Sequence, residues 1–406
     1  KVCGKQFSKL LSSQQVQAEA DRVWCGVERC LFGNGKELHF KKLMDFDTIG
    51  GKSNKNGARF DLDAMYVNWL GLSLKCYLPK SENSLSYVWE SLKGKISYCN
   101  IKRLMFSSGW RYYAEIVVSG AAPTRVSIGT STMGIDPGVS TIAGVSEDAC
   151  VLEELAPNAI QYEKKIQKIS QRMDRSRRIS NPNKYNEDGT INRSNRDPWK
   201  YSKNYVKMCR LLKSLYRKKH AYIVDSHREL CNKLITIARY FPVEKMHFQA
   251  LQKRAKETKR QEKKTEVKQK DGTVKVIQKY KRKKRFGRSI NRRAPARFLL
   301  ELKRKAEAVG GVYAEVDTKE FKASQYNHVT DTYEKIPLSQ REKEIGNRKV
   351  QRDLYSAFLI RNADLDFKHP DREKCEYEFE HFANLQDQLI LKMKESGLSM
   401  RQCFGF

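Results

Sequence analysis

The stretch from Met133 to Ser146, MGIDPGVSTIAGVS, constrains the fold more than any other part of this chain. It is apolar, rich in β-branched residues and turns at Pro137-Gly138, so it reads as a buried β-hairpin. An acid, Asp136, interrupts it. Two more acids interrupt apolar elements. Glu244 follows LITIARYFPV, which reads as a helix end running into a short strand, and Asp353 lies in VQRDLYSAFLIRNA, an amphipathic helix with Val350, Leu354 and Phe358 on one face and Asp353 beside that face. Taken singly, Asp136 before Pro-Gly is an ordinary turn former and Glu244 next to Lys245 an ordinary surface ion pair. Taken together, strand Asp, strand-end Glu and helix Asp form a set of hard oxygen ligands suited to divalent ions in phosphodiester hydrolysis, because a buried carboxylate without a cation is costly.

The surroundings of these acids alternate strand and helix, which predicts an α/β core. Helices are expected over about 159–178 and 199–238, separated by the long polar connection NPNKYNEDGTINRSNRDP, of a length that is usually functional or disordered. Pro295 opens another helix that ends at Gly310-Gly311, VYAEVDT reads as a strand, and residues 318–349 read as polar and irregular. Nearer the N-terminus, Ser12 and Gln15 form a capping box ahead of a helix with Val16, Ala20, Val23, Val27 and Leu31 at helical spacing. Residues 38–130 are β-rich, with KISYCNIKRLMF and WRYYAEIVV joined by the three-residue loop Ser107-Ser108-Gly109, and are expected to form a small β-barrel-like module.

Charge identifies the class of partner. The 406 residues carry a net +32, and two stretches hold nearly all of it: residues 163–219 have 18 basic and 5 acidic side chains, residues 253–297 have 20 and 4. The remainder is close to neutral, which separates a surface facing a polyanion from an ordinary scaffold. Tyr185, Trp199, Tyr201, Tyr205 and Tyr216 stand among the first set of cations, and Tyr280 and Phe286 among the second, a mixture suited to phosphates and stacked bases. No apolar run approaches the roughly 18 residues of a membrane span, and no signal peptide is seen, so a cytoplasmic protein with no membrane partner is expected. The ten scattered cysteines, none in a C-x-x-C pair, read as reduced thiols. Because the chain begins at Lys1 in mid-pattern, an N-terminal portion is expected to be missing.

The segments GIDPGVSTIAG, VEKMHFQALQKR, KRKKRFGRSINRRAPA, KASQYNH and VQRDLYSAFLI, in this order from roughly Phe40 to Phe382, resemble TnpB, the transposon-encoded OrfB-type nuclease family related to compact type V CRISPR effectors. The resemblance implies an RNase H-like, RuvC-type nuclease domain with an N-terminal wedge-type β-barrel and a helical recognition element. It divides the chain into a truncated recognition element (1–36), the wedge (37–130), the nuclease domain with the first two acid motifs and the basic insert (131–317), an insert for target nucleic acid (318–349), and the third acid motif with a C-terminal tail (350–406). Asp136, Glu244 and Asp353 map onto the three catalytic, metal-holding acids, with two Mg²⁺ ions implied. The implied partners are a guide RNA and double-stranded target DNA with a short flanking motif, bound by a monomer or an asymmetric dimer per guide.

Candidate nucleic-acid contacts are Lys164, Lys165, Arg172, Arg175, Arg177, Arg178, Trp199, Lys253, Arg254, Lys281, Arg282, Lys283, Lys284, Arg285, Arg288, Arg292, Arg293, Gln351 and Arg352. One feature departs from the family. Its members commonly carry a four-cysteine zinc ribbon between the second and third acids, whereas residues 318–349 contain no cysteine, only Asn327 and His328 where ligands would stand, so no zinc is expected. Glu244-x-x-His247 has the spacing of a metal pair, but His247, like His220, His227 and His381, reads as an ordinary packed or exposed histidine. Two other readings compete: a catalytically silent RNA-guided regulator, which loss of an acid would mark, and a guide-independent transposase or resolvase of RNase H fold. Transposases of that type place the Glu last, whereas here it is second.

Overall fold

A computed structural model describes residues 11–33, 35–40, 46–252, 260–268, 272–280, 286–337 and 340–398. Within these, the chain divides into two compact units, one formed by residues up to 123 together with 165–217, the other by 124–164 and 218 onward. Residues 165–217 thus fall in the same unit as the N-terminal stretch, and the residues on either side of them in the other.

The first unit opens with helix α1 (Ser13–Leu31), whose Ser12 and Gln15 close both hydrogen bonds of a capping box. Strands β1 (Thr48–Gly50), β2 (Arg59–Asp61), β3 (Tyr66–Trp69) and β4 (Leu72–Lys75) follow, then helix α2 (Glu82–Leu92) and the long hairpin β5 (Ile96–Phe106) and β6 (Gly109–Val118). Gly109 pairs with Phe106, so the connection is two residues, Ser107 and Ser108, and the φ of +126° at Gly109 makes the turn possible. The strands form two separate three-stranded antiparallel sheets, β1-β5-β6 and β2-β3-β4, around one core of Ala58, Phe60, Val67, Leu92 and Cys99. The expected barrel is thus two small sheets, since β2 to β4 are three or four residues each, too short to continue the pairing.

The second unit is built on a mixed α/β sheet. Strands β7 (Ser131–Thr132), β8 (Gly134–Pro137), β9 (Thr141–Val145) and β10 (Cys150–Glu154) precede helices α3 (Ala159–Ser180) and α4 (Lys203–Ile237), whose residues 165–180 and 203–217 belong to the first unit, and α4 runs into β11 (Ala238–Glu244). Next come α5 (Phe248–Gln252), the hairpin β12 (Arg260–Lys268) and β13 (Val274–Tyr280), α6 (Gly287–Arg293), α7 (Pro295–Ala308) and β14 (Val312–Val316). The sheet order is β10-β9-β8-β11-β14; β8 to β10 are antiparallel, β11 runs parallel to β8 and β14, and β7 also pairs with β11.

Residues 318–349, expected to be irregular, contain α8 (Thr318–Phe321), a small hairpin of β15 (Tyr326–Asn327) and β16 (Thr332–Tyr333), and most of a second hairpin, β17 (Glu342–Ile345) and β18 (Arg348–Gln351). Gly346-Asn347 makes the second turn, and Phe321, Tyr326, Ile345 and Val350 bury themselves in the main core. Buried polar contacts tie this insert down: Lys343 Nζ donates to the Tyr326 carbonyl at 3.0 Å, and His328 Nδ1 meets the Tyr355 hydroxyl at 2.8 Å. The chain closes with α9 (Arg352–Arg361) and α10 (Arg372–Glu395).

The polar connection between α3 and α4 is built by its own side chains. Asn181 bonds the Arg177 and Lys200 carbonyls and accepts from the Lys200 N–H, and buried Lys184 donates to the Asn195 carbonyl. None of the described cysteines forms a disulfide, and no described helix is long and apolar enough to cross a membrane.

Candidate active site

Strand alternation puts two of the acids on one face of the sheet. Met133 and Ile135 of the β7–β8 segment, with Phe241 and Val243 of β11, point into the core formed with Cys231, Leu234, Phe298 and Leu302 of α4 and α7. Asp136 and Glu244 are the next residues along their strands and therefore face the other way. Val243 is in register with Ile135, so the two carboxylates are neighbours across the β8–β11 pair.

Helix α9 lies on that opposite face. It approaches so closely that a Cβ on Gly134 would stand 2.2 Å from the Ala357 carbonyl oxygen. Asp353 is one turn before Ala357 and shares its helix face, as Asp136 is two residues beyond Gly134 on the same strand face. Three acids separated by more than a hundred residues at each step are thus assembled by one strand pair and one helix.

The electrostatics register the meeting. The Asp136 carboxyl is held well above its ordinary range, first by burial, then by the charges of Glu244 and Asp353 and by a hydrogen bond with Glu244, while Arg352 opposes the shift. Glu244 is raised as well, again mainly by burial, with the Asp136 hydrogen bond, Arg352 and Thr318 pulling it down. Both shifts favour the protonated form, because two buried carboxyls side by side repel when both are ionised. Asp353 takes a different partner, the Arg341 guanidinium at 3.3 Å. Among the described residues no group of three or more His, Cys, Asp and Glu side chains is arranged as it stands to hold a metal ion. The donor chemistry is that of a Mg²⁺ site: all three are carboxylates, and the burial and repulsion that raise Asp136 and Glu244 are what a divalent cation would relieve.

The candidate nucleic-acid contacts fall into five groups. Lys164, Lys165, Arg172 and Arg175 are exposed along α3, and Arg288 is exposed on α6. Arg177 and Arg178 pair with Asp174 at 2.8 Å and lie over the Trp199 and Tyr185 rings, which places Trp199 inside the α3–α4 connection. Arg292, Arg293 and Gln351 are engaged in the fold: Arg292 with Glu163 at 2.8 Å, buried Arg293 with Glu154, and buried Gln351 as the N-cap of α9 through a 2.7 Å bond from the Leu354 N–H. These three answer to the fold's own acids and helix end, not to solvent. Arg352 faces Asp136 and Glu244. Lys253, Arg254, Lys281, Arg282, Lys283, Lys284 and Arg285 lie outside the described residues.

Of the histidines, His247 and His220 are exposed, His381 bonds the Glu147 carbonyl at 2.9 Å, and buried His227 bonds the Arg293 carbonyl at 2.9 Å. Sequence reasoning misses Arg341 and Thr318. Arg341 carries no local signal, whereas Thr318 directly follows Asp317, the N-cap of α8.

No protein-family model matches the sequence, and no curated protein matches it. Among solved structures the chain is similar to a CRISPR-Cas12f ternary complex, with 15% identity and a TM-score of 0.30. The match covers 72% of this chain and 49% of that one, so this chain spans about half its length.

Proposed function

We propose that the chain is a divalent-metal-dependent nuclease of RNase H-like, RuvC type and, as its TnpB-like motifs imply, one that cuts DNA under the direction of a guide RNA. The observation that carries the reading is the convergence of Asp136, Glu244 and Asp353 in one electrostatic cluster. The sheet supports it: three antiparallel strands followed by two that run parallel to the first, in the order third, second, first, fourth, fifth, with an acid on the first and on the fourth. Asp136, Glu244 and Asp353 would hold the metal, and Mg²⁺ there supplies Lewis-acid neutralisation of the phosphate. To take part, Asp353 would exchange its contact with Arg341. Arg352 limits the repulsion among the acids. The exposed cations of α3 and α6 track backbone phosphates, while base pairing supplies sequence.

The test is cleavage of a guide-matched plasmid in Mg²⁺ by the purified ribonucleoprotein. Asp136→Ala abolishes cutting and leaves RNA binding nearly intact; full-rate cutting by that variant removes the assignment. RNA of defined length copurifying with the protein supports guidance, and its absence leaves an unguided enzyme. A wild type that binds guided DNA without cutting it is the silent regulator.

A further inference from the structure

We infer that Thr318 is a positioning residue for Glu244, a reading that rests on the proposed role of Glu244 as a metal-holding acid. Glu244 is the last residue of β11, in register with Val316 of β14. Two contacts hold the chain just beyond it. The Lys245 N–H donates to the Val316 carbonyl at 2.9 Å, extending the β11–β14 pairing one step past Glu244. The Thr318 hydroxyl then reaches across from the start of α8, donating to the Lys245 carbonyl at 2.6 Å and lying within hydrogen-bond reach of the Glu244 carboxylate. Thr318 is itself fixed, because Asp317 caps α8 through a 2.7 Å bond from the Lys319 N–H.

One hydroxyl carries one proton, and here two acceptors lie beside it. Its bond to the Lys245 carbonyl fixes the backbone that carries Glu244, and its reach to the carboxylate limits the orientations that side chain can take. Thr318 touches neither phosphate nor water in this scheme; it sets the direction from which Glu244 meets its ligand, and such outer contacts typically change metal affinity by about 10- to 100-fold.

The experiment compares wild type, Thr318→Val and Thr318→Ser by direct Mn²⁺ binding in calorimetry, beside the Mn²⁺ dependence of plasmid cleavage and a thermal melt. Val keeps the shape and deletes the hydroxyl; Ser keeps the hydroxyl and deletes the methyl. Thr318→Val is expected to weaken Mn²⁺ binding about 10-fold and to raise the Mn²⁺ midpoint of cleavage equally, with DNA affinity unchanged, while Thr318→Ser restores both. Wild-type Mn²⁺ affinity in Thr318→Val overturns the proposal. Equal weakening in Val and Ser, or a Val variant that loses its fold while Ser binds no better, shows a packing role and overturns it too. A wild type that binds no Mn²⁺ overturns the reading of Glu244 on which the proposal stands.

Discussion

Adding a single methyl group to Gly134 tests how the acids are brought together. A Cβ at this position would lie 2.2 Å from the Ala357 carbonyl oxygen, 2.3 Å from the Arg361 nitrogen and 2.8 Å from its Cα. All three are backbone atoms of α9, so no side chain can rotate aside. Restoring ordinary contact needs a separation of roughly 3.5 Å, hence a shift of α9 from β8 by more than about 1 Å. Helix α9 is buried from Leu354 to Ile360, and overpacking of such a contact costs about 3 kcal/mol. At about 2–4 °C per kcal/mol, thermal unfolding should fall by roughly 6–12 °C. The same shift carries Asp353 away from Asp136, and a 1 Å misplacement costs about 10²-fold in rate.

Gly134→Ala is therefore expected to lose both stability and cleavage, read by circular dichroism melting and plasmid cutting in Mg²⁺. Gly287→Ala is the control: nothing lies within 4 Å of its Cβ, it opens α6, and it should gain up to about 1 kcal/mol. A Gly134→Ala protein that melts with the wild type refutes the packing argument, and one that melts early yet cuts at full rate refutes the link between α9 and catalysis.

Acid sensitivity should follow from His227 and His328, both held down to about 4 by burial against an ordinary 6.5. Between these values the unfolded chain binds more protons than the fold, so stability is complete above pH 6.5 and falls as pH drops through the window, by up to about 3 kcal/mol per histidine. His328→Phe should flatten the acid limb of a urea-denaturation profile, and an unchanged slope counts against it. Arg172→Ala with Arg175→Ala should reduce the log–log salt dependence of RNA binding by about 0.7–0.9 per lost phosphate contact. Arg293→Ala should leave that slope alone and cost about 3 kcal/mol of fold stability, because it strands Glu154.

The acids were legible because a charge inside an apolar run conflicts with its surroundings, and GIDPG, PVEK and QRDLYSAFLI each show that conflict over a few residues. The capping box of α1 and the β5–β6 hairpin were legible for the same local reason. What escaped depends on distance along the chain. Arg341 reaches Asp353 only because the β17–β18 hairpin turns back on itself, and Gly346-Asn347 is a turn signal easily lost in a polar stretch. Charge counting also ran together cations of different fates: Arg172 and Arg293 look alike in sequence, yet one is exposed and the other is buried against Glu154. Nothing near Gly134 in the sequence indicates that a helix more than two hundred residues later rests on it.

The interleaving of the two units sets an order on synthesis. Residues up to 123 leave the ribosome before either segment of the other unit, yet their own unit also includes 165–217, which emerge only after the first strands of that other unit. Neither unit can be completed in turn as a simple bead. The last of the three carboxylates, on α9, is translated after every strand of the central sheet, so the three acids cannot meet in the nascent polypeptide before that helix has emerged.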